Sequence, residues 1–222
     1  MLDELLPSEH ATFVAACEVV ELSFGERLIE PGALVEHVYF PLDSFISLIV
    51  GHEGDKWLEV AMAGREGMVG ESLLLGVEEF PLCALVQGSG LALRMDAACF
   101  RRMMLRFPAL QQRLQRYLYV VMVQLAQTAA CTHFHQVEAR LARWLLMTQD
   151  RASSSTLQLT HEFLAGMLGV RRAGVTSAAL ALQHRDLISY HRGNIIVLDR
   201  EGLINASCGC YRADRALYDQ VL

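Results

Sequence analysis

Arg171 and Arg172 open a short amphipathic stretch just after a glycine turn, and no other point in the sequence ties side-chain type and spacing so directly to a chemistry. The surrounding segment, residues 159–198, reads LTHEFLAGMLGVRRAGVTSAALALQHRDLISYHRGNIIVL. Thr160 is placed to cap a first helix, Glu162 lies in its first turn, and Phe163, Leu164, Met167 and Leu168 form its buried face. Gly169 supplies the turn, after which Val175, Ala178, Ala179 and Leu182, at i, i+3, i+4 and i+7, face a second helix inward. Leu187 to Tyr190 and Ile195 to Leu198 read as strands joined through His191-Arg192-Gly193-Asn194, a hairpin wing. Helix, glycine turn, helix and hairpin make a winged helix-turn-helix. Two arginines at a helix N-terminus oppose the macrodipole by roughly 0.3–1 kcal/mol each. Their presence makes sense if a phosphate and a base edge meet them there. Thr176 and Ser177 are expected on the outward side, within reach of base edges, and Arg192 at the wing tip is expected to touch backbone phosphate or the adjacent minor groove. A purely structural helix pair with a hairpin has the same apolar pattern, and the arginine pair weighs against it.

Other chemistry-bearing residues point to less. Cys208 and Cys210 form a CxC, but no second ligand pair stands at recognisable spacing, so the motif reads as structural or incidental and no metal is expected. His133 and His135, in CTHFHQ, read as polar residues at an inter-domain hinge. Gln124 and Gln127 interrupt an otherwise apolar helix, where they fix register or touch an effector. No nucleophile elbow, phosphate loop or HExxH motif is present, so the chain is not expected to be an enzyme and no cofactor is expected. All six cysteines (Cys17, Cys83, Cys99, Cys131, Cys208, Cys210) read as reduced thiols in a chain of 222 residues.

The elements that must position the arginines follow from patterning. Residues 1–105 hold 6 basic and 17 acidic side chains, whereas 106–136 hold three arginines and no acid, and 137–222 hold 10 arginines against 8 acids. An acidic sensor joined to a basic arm fits that asymmetry better than the overall charge of −6 suggests. Residues 18–95 alternate short β-branched and aromatic runs (Val38-Tyr39-Phe40, Phe45 to Val50, Trp57 to Met62, Leu82 to Val86) with turn signals, among them His52-Glu53-Gly54-Asp55. That is the pattern of a small antiparallel barrel or roll, with a short helix expected before it from Ser8 to Ala16. Asp96 is placed to cap a helix from Ala97 to Leu105, and Pro108 to start the next. From Pro108 to Thr132, Leu110, Leu114, Tyr117, Val121, Leu125, Thr128 and Thr132 recur at steps of three and four, a coiled-coil seam. A helix packed across its own β-domain has the same spacing, and Leu118 and Met122 widen the stripe enough for one helix to serve both partners. A further helix from Val137 to Thr148 closes before a serine linker at 153–155. The N-terminus has no basic region before an apolar run, and the longest apolar stretch is too short to span a bilayer, so a cytoplasmic protein without membrane contact is expected.

The whole arrangement resembles the Crp/Fnr superfamily, from about residue 18 to 215. LTHEFLAGMLGVRRAGVT and LQHRDLISYHRGNIIVLDREGL carry the likeness, supported by GREGMVGE at 64–71 and QTAACTHFHQVEARLARWLL. The resemblance implies an α+β fold: a cyclic-nucleotide-binding-like sensor β-roll at 1–105, a dimerisation helix at 106–136 and a winged-helix DNA-binding domain at 137–222. It implies a homodimeric transcription regulator that binds palindromic double-stranded DNA and works with RNA polymerase, with either an unidentified small-molecule effector or control without any bound ligand. A ligand-binding regulatory subunit acting on another protein is the alternative. In the resemblance, Gly70, Glu71 and Ser72 with Cys83, Ala84 and Gln127 are the effector-site candidates. The chain departs from the family where a phosphate-clamping Arg is expected near 81–84 and reads Pro81-Leu82-Cys83-Ala84 instead, which argues against cyclic AMP. Ala173 and Ser177 replace the family's best-known base readers, which implies a different operator. Cys17 stands alone, which argues against an N-terminal iron-sulfur cluster.

Overall fold

In a computed structural model of the chain, residues 7–52, 56–152 and 156–222 are described. The expected turn at Glu53-Gly54-Asp55 and the serine linker at 153–155 lie outside them. The polypeptide forms two compact units: Met1–Leu48 with Ala61–Val123 and Asp219–Leu222, and Ile49–Val60 with Gln124–Tyr218. The division falls inside the long helix rather than at its two ends, and the outer part of one β-hairpin belongs to the second unit.

The first unit opens with α1 (Pro7–Ala15), then β1 (Glu18–Leu22), β2 (Arg27–Ile29), β3 (Ala33–Leu34), β4 (His37–Pro41), β5 (Phe45–His52), β6 (Lys56–Ala63), β7 (Glu79–Phe80), β8 (Cys83–Gly88) and β9 (Gly90–Asp96). The sheets run β1-β9-β4, β2-β8-β5-β6 and β3-β7, with antiparallel pairing such as Val20 opposite Ala92 and Phe40 opposite Leu93. The expected antiparallel roll is therefore present. Strands β4 and β5 read as nearly continuous apolar runs because both faces are covered: consecutive residues Val38, Tyr39 and Phe40, and likewise Ile46, Ser47 and Leu48, are all buried. Phe40 meets Phe13 edge-on at 5.1 Å and Phe100 at 6.3 Å, which ties α1 and α2 (Ala97–Arg106) to the roll. Asp96 caps α2 by accepting from the Cys99 N–H at 3.0 Å, and that bond holds its carboxyl below the ordinary range.

Helix α3 (Pro108–Phe134) begins in this unit. Leu110, Leu114, Tyr117 and Val121 are at most 4% exposed in the single chain. The Tyr117 hydroxyl donates to the Met68 carbonyl at 3.2 Å, and its ring lies against Gly67, where no side chain would fit. These four members of the expected dimer seam are therefore covered within the single chain, Tyr117 by the β-roll, and Leu125 and Thr128 are half-buried. For Tyr117 the cover is the chain's own β-roll, one of the two partners that this spacing allows: apolar periodicity marks a covered stripe without saying what covers it. A different stripe, Tyr119, Met122, Ala126 and Ala129, stays exposed at steps of three and four.

The second unit contains the rest of α3, then α4 (Val137–Arg151), β10 (Thr156–Gln158), α5 (His161–Leu168), α6 (Arg172–His184), β11 (Ile188–His191), β12 (Asn194–Val197), α7 (Arg200–Ala206) and, as far as Tyr218, α8 (Cys210–Val221). Leu141, Leu145, Leu164, Val175, Leu182, Ile195 and Leu203, all buried, form its core, with α4 packed on α6 and α7. The hairpin end of β5 and β6 joins this core. Trp57 stacks edge-on to Phe163 at 5.7 Å, and the Trp144 indole N–H donates to Glu59 Oε1 at 2.9 Å. Gly166 faces the Trp57 ring so closely that an added Cβ would sit 2.7 Å from it. Alanine is normally better than glycine in a helix by about 1 kcal/mol. Here Gly166→Ala is expected to destabilise instead, by about 1–3 kcal/mol from overpacking, and urea unfolding of Gly166→Ala beside a Trp57→Leu, Gly166→Ala pair measures the relief. No described helix is long and apolar enough to cross a membrane.

Candidate nucleic-acid interface

The geometry around Arg171 is built from capping chemistry. Thr160 Oγ1 accepts the Phe163 N–H at 3.1 Å and starts α5. Gly169, at φ 62°, ends it in the left-handed conformation that β-carbon sterics disfavour, with its N–H returned to Ala165 and Gly166 carbonyls. Arg171 occupies the N-cap of α6 without any side-chain cap, so the first amides of that helix have no side-chain acceptor from it. Arg171, Arg172, Ala173 and Ser177 are exposed, as the sequence requires of a reading face, and Val175, Ala178, Ala179 and Leu182 are buried. A helix start lined with arginines and open amides is an anion-receptive surface.

Two of the expected side chains are less available. Thr176 is half-buried, its hydroxyl donates to the Arg172 carbonyl at 3.1 Å, and its Oγ1 lies 3.0 Å from His161 Nδ1, in hydrogen-bond contact. Ser177 Oγ bonds back to the Ala173 carbonyl at 3.1 Å. Leu180, half exposed on the same face, went unnoticed in the sequence because an apolar residue off the inward pattern carries no polar signal. His161 was also missed. Its ring stacks on Tyr190 at 4.4 Å and 15°, and burial followed by the nearby Arg172 charge pushes its pKa down, so it favours the neutral form. It links the start of α5 to the wing, and Gln183, near the end of α6, does the same for that helix: its Oε1 accepts the Tyr190 N–H at 3.2 Å.

The wing is a three-stranded sheet, β10-β12-β11, one strand more than expected because the three-residue β10 is too short to read from pattern. Arg192 (φ 48°) and Gly193 (φ 82°) form its tip, both left-handed, which leaves Arg192 exposed at the turn. Among the described residues Gly174 has only Val137 at ordinary contact distance, so no backbone approach there accounts for a glycine in α6.

The effector candidates separate. Gly70, at φ 90°, starts a single 3-10 turn, Glu71–Leu75, and Glu71 is buried with Oε2 lacking any partner among the described residues. Ser72 Oγ is equally unpartnered. Burial pushes the Glu71 carboxyl up to about 7, and the Gly70 and Glu71 backbone amides offset this only in part. Cys83 and Ala84 are buried on β8, and burial raises the Cys83 thiol. Gln127 belongs to the second unit, where its amide donates to Cys210 Sγ at 2.8 Å.

Residues 139–206 match the Crp-like helix-turn-helix domain. No curated protein sequence matches the chain. Among solved structures, the c-di-GMP responsive global regulator CLP of Xanthomonas campestris superposes with TM-score 0.70 at 15% identity, over 86% of this chain and 98% of that one. FixK2 of Bradyrhizobium japonicum gives 0.72 at 13% identity, over 87% and 98%. A CRP/FNR-family transcriptional regulator of Thermus thermophilus gives 0.67 at 21% identity, over 86% and 98%. The chain has the fold of the Crp/Fnr regulators and carries, at residues 139–206, a Crp-like helix-turn-helix domain.

Proposed function

We propose that the protein is a sequence-specific, DNA-binding transcription regulator of the Crp/Fnr type that acts in the cytoplasm as a homodimer on a palindromic operator, with RNA polymerase as its partner. The observation that carries this reading is the uncapped start of α6, where exposed Arg171 and Arg172 stand immediately after the Gly169 turn. A regulatory subunit acting only on a protein has no use for that arrangement. Thr160 and the α6 amides hold phosphate, Arg172 with Ser177 and Thr176 reads bases, and Arg192 contacts the backbone beside the groove. The second copy covers the exposed α3 stripe of Tyr119, Met122, Ala126 and Ala129.

The β-roll is the sensing unit. The unpartnered Glu71 Oε2 and Ser72 Oγ, with Gly70, Cys83 and Ala84 as neighbours in the candidate set, suit a small ligand bearing hydrogen-bond donors. No arginine occupies 81–84, which disfavours a cyclic phosphate.

The split between reading and holding is measurable. Arg172→Ala should narrow the preference for operator over random DNA by about 1–3 kcal/mol, whereas Arg192→Ala should weaken both DNAs alike and reduce the salt slope by about one unit. Competition binding across a salt series tests this. Equal losses on both DNAs for both variants would remove base reading from Arg172.

A further inference from the structure

We propose that Cys131, His135, Cys208 and Cys210 form a tetrahedral Zn2+ site in the second unit. Cys131 lies in the last turn of α3, and His135 follows one turn later, its N–H still bonded to the Cys131 carbonyl at 3.1 Å. The i, i+4 relation puts both side chains on one face. Cys208 and Gly209 lie in the short link between α7 and α8, Cys210 is the first residue of α8, and the Tyr211 N–H folds this segment back onto the Cys208 carbonyl at 3.2 Å. The chain thus brings two ligand pairs together from 73 or more residues apart in sequence, which no local motif could display.

The ligand atoms all lie within 4.8 Å of one another. Cys131 Sγ and Cys208 Sγ are 3.5 Å apart, and Cys210 Sγ and His135 Nδ1 are 3.6 Å apart. A tetrahedral zinc with Zn–S near 2.3 Å and Zn–N near 2.0–2.1 Å has edges of about 3.8 Å between sulfurs and about 3.6 Å between sulfur and nitrogen. A disulfide needs about 2.05 Å, and all three cysteines are free thiols. The three thiols are buried and His135 is the most open of the four.

The surroundings suit a thiolate-rich centre. Zn2+ displaces the three thiol protons, leaving three thiolates and one neutral imidazole around the cation, a net charge of −1. The buried Arg143 guanidinium interacts favourably with Cys131 and Cys208 while held by Asp214 at 2.7 Å. Gln127 Nε2 donates to Cys210 Sγ at 2.8 Å, and Cys210 stands at the first turn of the 12-residue α8, where negative charge is favoured. Soft sulfur ligands and one imidazole exclude Mg2+ and Ca2+, and four protein ligands leave no open position, so the site is structural rather than catalytic. It fastens the end of α3 to the start of α8. It stands independently of the DNA-binding reading.

The test is the metal content of the full-length protein, produced untagged and purified without chelator, by inductively coupled plasma mass spectrometry. About one zinc per chain is expected, with metal lost in Cys208→Ser and His135→Ala and retained in the off-site control Cys99→Ser. His135→Ala guards against misfolding, since it leaves the buried thiols in place. Replacement of the metal by Co2+ should give the intense visible bands of tetrahedral cobalt with a near-ultraviolet thiolate band. Wild-type protein that binds neither Zn2+ nor Co2+, metal that persists in both site variants, or a Cys131–Cys208 disulfide in a chelator-free preparation would each overturn the proposal.

Discussion

Met122→Glu with Ala126→Glu should convert the protein to monomers by light scattering and weaken operator binding by about 10²- to 10⁴-fold, the gain that linking two half-site readers normally brings. Met122 is 60% exposed and Tyr119 53%, although both lie on a helix whose other face is buried from Leu110 to Val121. With Ala126 and Ala129 they continue the three-and-four spacing along α3. A second copy of the helix is the economical cover, because a two-fold pair presents two recognition helices about 34 Å apart, one turn of DNA. The small alanines allow close helix approach, and two glutamates facing their symmetry mates would bury four like charges. Charging Val121 instead, which is 4% exposed within its own chain, should unfold the first unit rather than split dimers. An intact dimer in the Met122, Ala126 variant would move the interface elsewhere.

Glu71→Gln should remove about 3 kcal/mol of pH dependence from the stability of the first unit. The folded carboxyl sits at about 7 against an ordinary 4.5, chiefly because burial penalises its charge. Below pH 4.5 the folded and unfolded chains both hold the proton. Between pH 4.5 and 7 the unfolded chain releases it while the folded chain keeps it, so stability falls as pH rises through this window and levels off above 7. The 2.5-unit gap between those two values corresponds to about 3 kcal/mol. Glutamine cannot ionise, so the difference between variant and wild type at about pH 8 minus that at about pH 4.5 isolates the effect, and any constant packing change cancels. Urea titrations at the two pH values measure it. Parallel profiles would mean that the Glu71 carboxylate is paired or solvated when ionised.

What the residues disclosed in advance was local. The α5 to α6 pair was legible because its turn demands a positive φ that Gly169 supplies and because its inward positions keep helical spacing. Asp96 and Thr160 were legible as caps for the same kind of reason. Partners remote in sequence were not. The seam at Leu110, Leu114, Tyr117 and Val121 announced a covered stripe, but a β-roll and a second helix leave the same periodicity. Thr176 was read as outward, yet His161, 15 residues earlier, engages its hydroxyl. Gln127 looked like an effector ligand because a polar residue on an apolar helix has no local partner, and its partner is Cys210. The CxC at 208–210 reads as incomplete in sequence because its complement, Cys131 in the last turn of α3 and His135 just beyond it, is remote along the chain. Helix α7 and strand β10 are short, and they are held by packing rather than by strong pattern.

The central claim, that the uncapped, arginine-lined start of α6 reads DNA as one half of a two-fold pair, is tested most directly by selecting binding sites for the intact protein from randomised double-stranded DNA. The account predicts enrichment of an inverted repeat whose half-site centres lie about 10–10.5 base pairs apart or a multiple of that, with the information at the inner positions of each half-site lost in Arg172→Ala. Recovery of no sequence above background, or of a motif unchanged by Arg172→Ala and lacking two-fold symmetry, would contradict it.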